Sequence, residues 1–180
     1  TRSREYLRRF GVPEPLIFDS PHAVDVSALS SAAASGEPRS VMRRWLGASD
    51  SDFLIVFAGK FSAVKRAADL IKAAARMNPD VTLAMVGNGS LMQETRAFAQ
   101  RLGVRATWCG FVNQSTMPSV LAAADCLALP SASETWGFVV SEALACGTPC
   151  VVSDGVGSAP DLIHDGVSGV VHEAGDVDSL

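Results

Sequence analysis

What this 180-residue sequence lacks narrows it first. It has no apolar run near the roughly 20 residues that a membrane-spanning helix needs; the runs are short, such as Phe53 to Ala58. No leader peptide is visible either: the chain opens at Thr1 without a methionine, and its first ten residues are rich in Arg and hold no apolar segment. A fragment of a longer protein is expected, cytoplasmic in setting. Cysteine is sparse, at four residues. Cys109, Cys126, Cys146 and Cys150 make no Cys-x-x-Cys pair and no spacing with His that suits zinc, so buried, reduced thiols are expected. Positive charge is in deficit: 15 Lys and Arg against 19 Asp and Glu leave a net charge of -4, which argues against a nucleic-acid binder. Charged residues make up only 19% against 48% hydrophobic, enough apolar side chain to exclude a disordered chain. No internal repeat is visible.

What is present, from residue 52 onward, alternates between two patterns. Strand-length apolar runs occupy Asp52–Ala58, Val81–Val86, Ala106–Cys109, Cys126–Leu129, Cys150–Ser153 and Gly169–His172. Between them apolar residues recur at spacings of three and four: Ala67, Leu70, Ile71 and Ala74; Leu91, Thr95, Phe98 and Leu102; Val139, Ala143 and Cys146. Strands alternating with helices of this length predict parallel strands with helical crossovers. The strands are continuously apolar, so both sheet faces should be covered. The expected class is α/β, a Rossmann-like parallel sheet with helices on both faces.

The first fifty residues read differently. Arg2 to Phe10 predicts a basic helix stopped at Gly11, followed by Pro13 and Pro15. Leu16 to Asp19 is a short strand candidate. Ser27 to Ser40, rich in Ser, Ala and Gly, reads as a loop or linker, and Arg43 to Leu46 as a short helix ending at Gly47. The expected organisation is a tail of a preceding domain over 1–26, a linker with a short helix over 27–50, and a Rossmann-like unit over 51–180. The last is cut short where a helix would begin at Ser179-Leu180.

In doubly wound sheets ligands bind beyond the C-terminal ends of the strands. After the first strand, Gly59 lets the backbone turn, and Lys60 and Lys65 bracket a loop that leads into a helix. Two ammonium groups beside a helix start suit a diphosphate; they read equally well as solvated charge. Gly87-Asn88-Gly89 begins like a dinucleotide fingerprint, but Met92 stands where a third glycine would be, and a tight turn explains the pair as well. The stretch Ser133-Glu134-Thr135-Trp136-Gly137-Phe138 is richer. Gly137 opens a helix and leaves its first N–H groups unobstructed, and Glu142 follows among Val139, Val140, Ala143 and Leu144. A carboxylate among such neighbours is costly to bury without a partner, and sugar hydroxyls would be suitable partners. Together these make a nucleotide-sugar cradle; a capping acid and a solvated helix face are the plain alternative.

The spacing Glu134-x7-Glu142, within Ser-Glu-Thr-Trp-Gly-Phe-Val-Val-Ser-Glu-Ala-Leu-Ala-Cys-Gly-Thr-Pro, resembles the signature of retaining GT-B glycosyltransferases of group 1, the GT4 family. Gly59-Lys60 with Lys65 is similar to the family's basic pair. Gly110-Phe111-Val112, Ala124-Asp125, Leu129-Pro130-Ser131 and Asp165-Gly166-Val167-Ser168-Gly169 fall in the family's order. Ser20-Pro21-His22-Ala23-Val24-Asp25 resembles its interdomain Pro-Asn-Gly-Val-Asp segment, with His22 and Ala23 as departures. The resemblance covers about Phe53 to Leu180 and implies the C-terminal, donor-binding half of such an enzyme, with the N-terminal acceptor domain almost wholly outside this chain.

By that resemblance Glu134, Lys60 and Lys65 are the catalytic set: the lysines on the donor diphosphate, Glu134 beside the donor sugar. Gly59 and Gly87 would line the donor site. The N–H groups of Gly137, Phe138 and Val139 would hold sugar and phosphate, Glu142 would accept from the ribose hydroxyls, and backbone near Phe111 and Val112 would face the base. The first lysine is often Arg in the family, so bidentate geometry is lost here. No metal or other cofactor is implied, and no Asp-x-Asp motif is present. The implied partners are an NDP-sugar donor, the N-terminal acceptor domain and a glycan or lipid-linked acceptor, with peripheral contact at the inner face of a membrane in the whole protein and no nucleic acid. A nucleotide-sugar epimerase of the same architecture and a non-catalytic nucleotide-sugar-binding module are the rivals. An NAD-dependent dehydrogenase fits less well, because its glycine fingerprint is incomplete.

Overall fold

A computed structural model describes residues 2–18, 20, 22–77 and 80–180. Its centre is a sheet of six strands: β1 (Phe53–Ala58), β2 (Val81–Val86), β3 (Ala106–Gly110), β4 (Cys126–Leu129), β5 (Cys150–Ser153) and β6 (Gly169–His172). Every adjacent pair is parallel, and the order is β3-β2-β1-β4-β5-β6. The chain lays down β1, β2 and β3 in one direction, then returns to place β4 on the other side of β1. The topological switch point therefore lies between β1 and β4, where Ile55 sits beside Cys126 and Val56 beside Leu127.

Alternation along the strands builds two cores. Leu54, Val56, Leu127, Leu129 and Val152 face α3 (Arg39–Trp45), α6 (Met117–Ala123) and α7 (Phe138–Ala145), meeting Met42, Val120 and Val140. Ile55, Phe57, Leu83, Met85 and Ala128 face α4 (Ala67–Ala74) and α5 (Met92–Arg101), meeting Leu70, Ile71 and Ala99. Burial on both faces is the physical reason that β1, β2, β4 and β5 read as apolar runs; the expected cover is incomplete at the sheet edges, where β3 is half-buried and Val170 and Val171 of β6 are exposed. The four cysteines are free. Burial pushes the Cys150 thiol up to about 12, the ordinary behaviour of a structural thiol.

The strand and helix expectations from residue 53 onward match these elements, with adjusted edges. Asp52 stands outside β1: its carboxylate accepts from Ser49 N–H at 2.8 Å and from Arg105 at 2.6 Å. The N-terminal fifth departs further. α1 (Arg2–Arg9) forms as expected, and Gly11 follows it at φ +78°. Leu16 to Asp19 is no strand in its described part: Glu14–Leu16 is a 3-10 turn, with Leu16 N–H donating to Pro13 O at 2.9 Å, and Ile17 and Phe18 pair with no strand. Pro13 and Pro15 hold their φ near the turn value, which favours this turn over a ladder. Asp19 lies outside the described residues. The loop expected over Ser27 to Ser40 is mostly helix, α2 (Val26–Ser35). Asp25 caps it, accepting from Ala28 N–H at 2.9 Å, and its alanines are the best helix formers. α3 begins at Arg39, right after Pro38, four residues before the expected start. Ser179 and Leu180 form no helix; Asp176 accepts from the N–H groups of Asp178 at 2.9 Å and Ser179 at 3.3 Å in a turn. Among the described residues no helix is long and apolar enough to cross a membrane. A short helix, α8 (Ala159–Leu162), completes the element list.

Candidate donor site

The switch point places the loops after β1 and β4 side by side at the C-terminal edge, where a ligand crevice is expected. The loop after β1 is pinned to its neighbours by backbone. Gly59 N–H donates to Val86 O at 3.0 Å. Gly87 has φ +122°, and a Cβ there would fall 2.0 Å from Gly59 O. Glycine at 87 is therefore a steric requirement of the tight turn after β2. Phe61 is fully buried between Phe57 and Trp108, with ring centroids at 5.3 and 5.5 Å, and anchors the loop between Lys60 and Lys65.

The loop after β4 is sewn to both sides. Ala132 N–H donates to Val64 O at 2.8 Å, joining it to the β1 loop. Glu134 N–H donates to Gly155 O at 3.0 Å, and Gly157 N–H to Glu134 O at 2.9 Å, joining it to the loop after β5. Glu134 is thereby held on a backbone fixed from two directions. Its carboxylate forms an ion pair with the Lys65 ammonium, both side chains 19% exposed. Burial lowers the Lys65 pKa from its ordinary value. The structure thus brings two of the three expected catalytic residues into direct contact. Lys60 lies on the same loop with its side chain in solvent.

Gly137 opens α7 at φ +86°, in a conformation few other residues adopt. Val140 N–H turns back to Gly137 O at 2.9 Å; among the described residues the amides of Phe138 and Val139 make no backbone hydrogen bond. They carry the positive end of the helix. Three polar atoms close to this turn are buried without a partner among the described residues: Ser131 Oγ, Ser158 Oγ and Trp136 Nε1. Each is a donor or acceptor that the fold leaves unused, and sequence reasoning singled out neither serine.

Glu142 lies further along α7. Burial raises its pKa above the usual carboxylate value, the cost expected of an acid among apolar neighbours. It lines a cavity of about 440 Å³ with Val112 and Gln114 from the loop after β3, and with Asp25, Ala28, Leu29 and Ala32 from the start and one face of α2. Phe111 beside it is 78% exposed. The sequence brought Glu142 and Val112 to one place through resemblance alone; the α2 wall escaped it, because a Ser- and Ala-rich stretch reads as linker. The connection into α2 is held by His22, whose ring lies 5.2 Å from that of Trp136 and 4.9 Å, edge-on, from that of Phe138.

The arrangement offers the Lys65 ammonium and free helix amides for an anion, with Lys60 on the same loop, a carboxylate beside them, and a second carboxylate in an adjoining, mostly apolar cavity. The model of the family described as glycosyl transferases group 1 matches residues 39–180. A D-inositol 3-phosphate glycosyltransferase of Mycobacterium sp. (strain KMS) is 35% identical over 156 residues, 79% of this chain and 35% of that protein. An N-acetyl-alpha-D-glucosaminyl L-malate synthase of Bacillus anthracis is 30% identical over 137 residues, 75% of this chain and 36% of that protein. Among solved structures, Anabaena HepE in complex with UDP and glucose superposes with a TM-score of 0.83 at 27% identity, over 98% of this chain and 48% of that one. The chain spans about a third of the length of the curated relatives it matches.

Proposed function

The chain belongs to the group 1 glycosyl transferases, and from that premise we propose that it is the donor-binding half of an enzyme that moves a sugar from a nucleoside diphosphate to a hydroxyl acceptor with retention of anomeric configuration. The observation that carries this reading is the Lys65–Glu134 pair facing the start of α7, at the switch point of the sheet. Lys60, Lys65 and the amides of Phe138 and Val139 hold the diphosphate. As the bond from the anomeric carbon to the phosphate oxygen breaks, negative charge grows on the departing diphosphate. Preorganised donors in a site shielded from water stabilise that charge most, so no metal is needed. Glu134, held by its own backbone, keeps the Lys65 ammonium aimed and lies beside the sugar. Glu142 accepts from the ribose hydroxyls, which supply the partner its burial calls for. The acceptor oxygen forms the new bond to the anomeric carbon and its proton passes to the departing phosphate oxygen as the old bond breaks; a glycan or a lipid-linked acceptor is brought by a further domain.

Relatives support the donor class: HepE was solved with UDP and glucose, and the mycobacterial relative is named a glycosyltransferase. This 180-residue chain alone is expected to bind nucleotide and to turn over negligibly. Calorimetry with UDP, GDP and ADP tests the reading. Saturable heat with at least one is the expected result, and no heat with any of them at millimolar concentration contradicts it.

A further inference from the structure

The cavity beside Glu142 has a wall that the donor reading does not use. On α2, Ala28, Leu29 and Ala32 lie at spacings of one and three, so they share one helix face. That face lines the cavity together with Val112, Gln114 and Glu142. α2 is not a loose strap. Asp25 caps it, His22 fastens the preceding turn to Trp136 and Phe138, and the helix packs against α6 and α7. Ala28 and Ala32 end at Cβ, so the volume in front of them stays open, and any longer side chain at either position would enter it.

We propose that this face of α2 is the wall against which the nucleobase of the donor rests, and that Ala28, Leu29 and Ala32 set which bases fit. The proposal rests on the donor reading and extends it to the base. A nucleoside whose ribose hydroxyls reach Glu142, and whose diphosphate reaches Lys65 and the start of α7, has its base on the far side of the ribose from the phosphates. The unfilled space there is the cavity between Val112 and α2. Apart from Asp25, which caps α2, and Glu142, which takes the ribose, its lining is apolar with one carboxamide, the composition that takes a flat heterocycle and leaves its polar edge to one side chain. Gln114 can donate and accept at once, which matches adjacent donor and acceptor groups on a base edge.

The test compares UDP with inorganic pyrophosphate, which reaches only the lysines and helix amides. In the unaltered chain UDP should bind more tightly than pyrophosphate. Ala32→Phe fills the cavity without crowding a packed core, and should weaken UDP at least about tenfold while pyrophosphate stays within about twofold. Leu29→Ala, which removes contact instead of adding bulk, should narrow the same ratio by about threefold and guards against misfolding of the first variant. Ser30→Phe, an equally bulky change on an exposed position of α2 outside the cavity lining, should leave both affinities unchanged. An unchanged UDP-to-pyrophosphate ratio in a folded Ala32→Phe or Leu29→Ala chain overturns the proposal alone. Failure of the unaltered chain to bind either probe overturns it together with the donor reading.

Discussion

At the N-terminal edge of the sheet, Arg43 is 2% exposed and fully engaged: it meets Asp125 at 3.0 Å, Ala123 O at 3.0 Å, Ser49 O at 3.1 Å and the Asp52 carbonyl. Arg105 and the Ser49 N–H hold the Asp52 carboxyl down to about 2. At the C-terminal edge the same strands end among charges with a different balance. Burial lowers the Lys65 pKa and raises that of Glu142, and Ser131, Ser158 and Trp136 keep polar atoms buried without a partner among the described residues. One edge has satisfied its charges and serves the fold. The other sets buried polar atoms without a partner among the described residues beside the Lys65–Glu134 pair, the condition that a bound anion with hydroxyls relieves.

Variants at the two edges should therefore fail in different ways. The largest effect belongs to the N-terminal edge. Arg43→Met takes one of its partners from Asp125 and leaves the Ser49, Ala123 and Asp52 carbonyls without the guanidinium, and should cost about 3–5 kcal/mol in urea unfolding. Gly87→Ala comes next. A Cβ 2.0 Å from Gly59 O at φ +122° should cost more than about 2 kcal/mol and, by splaying the β1 loop, weaken nucleotide binding as well. Lys65→Ala should show the opposite signature: unfolding shifted by less than about 1 kcal/mol, nucleoside diphosphate affinity lower by about tenfold or more in calorimetry.

Acid titration sharpens the comparison. The Asp52 carboxyl is depressed in the folded state, so its stabilisation is complete above its ordinary value of 3.8 and is lost as pH falls toward about 2. Arg105→Gln should raise the pH at which the chain unfolds in acid, read by circular dichroism, and leave nucleotide affinity at neutral pH unchanged. Glu142 carries the reverse sign. A raised folded pKa means that its charged form is disfavoured by folding above that pKa, and the penalty fades as pH drops to its ordinary 4.5. Glu142→Gln should therefore give the smallest effect, a slight gain in melting temperature at pH 7 that vanishes near pH 4.5, together with a loss of nucleotide affinity.

The two edges were unequally legible in the sequence. The strands announced themselves because both faces are buried, and the helices between them because one stripe of each is apolar. The C-terminal edge was readable through its motif: Glu134, Glu142, Lys60 and Lys65 carry a spacing that resemblance can place, although nothing in the spacing shows that Lys65 would pair with Glu134. Of the N-terminal network only Asp125 showed, through the Ala124-Asp125 pair in the family's order; Arg43 in a short helix looks like surface charge and Asp52 looks like the first residue of a strand. α2 was missed for a local reason. Its Ser and Ala content resembles a linker, and the Asp25 cap with the run of alanines outweighs that content only once α6 and α7 give the helix a surface to pack on.

The most direct test of the account is an amide chemical-shift titration of the chain with UDP. Perturbations should gather at Gly59 and Lys60, at Gly137 to Val139, and at Val112, with the N-terminal edge around Ser49 and Leu54 silent. Shifts confined to that opposite edge, or none at millimolar UDP, would contradict it.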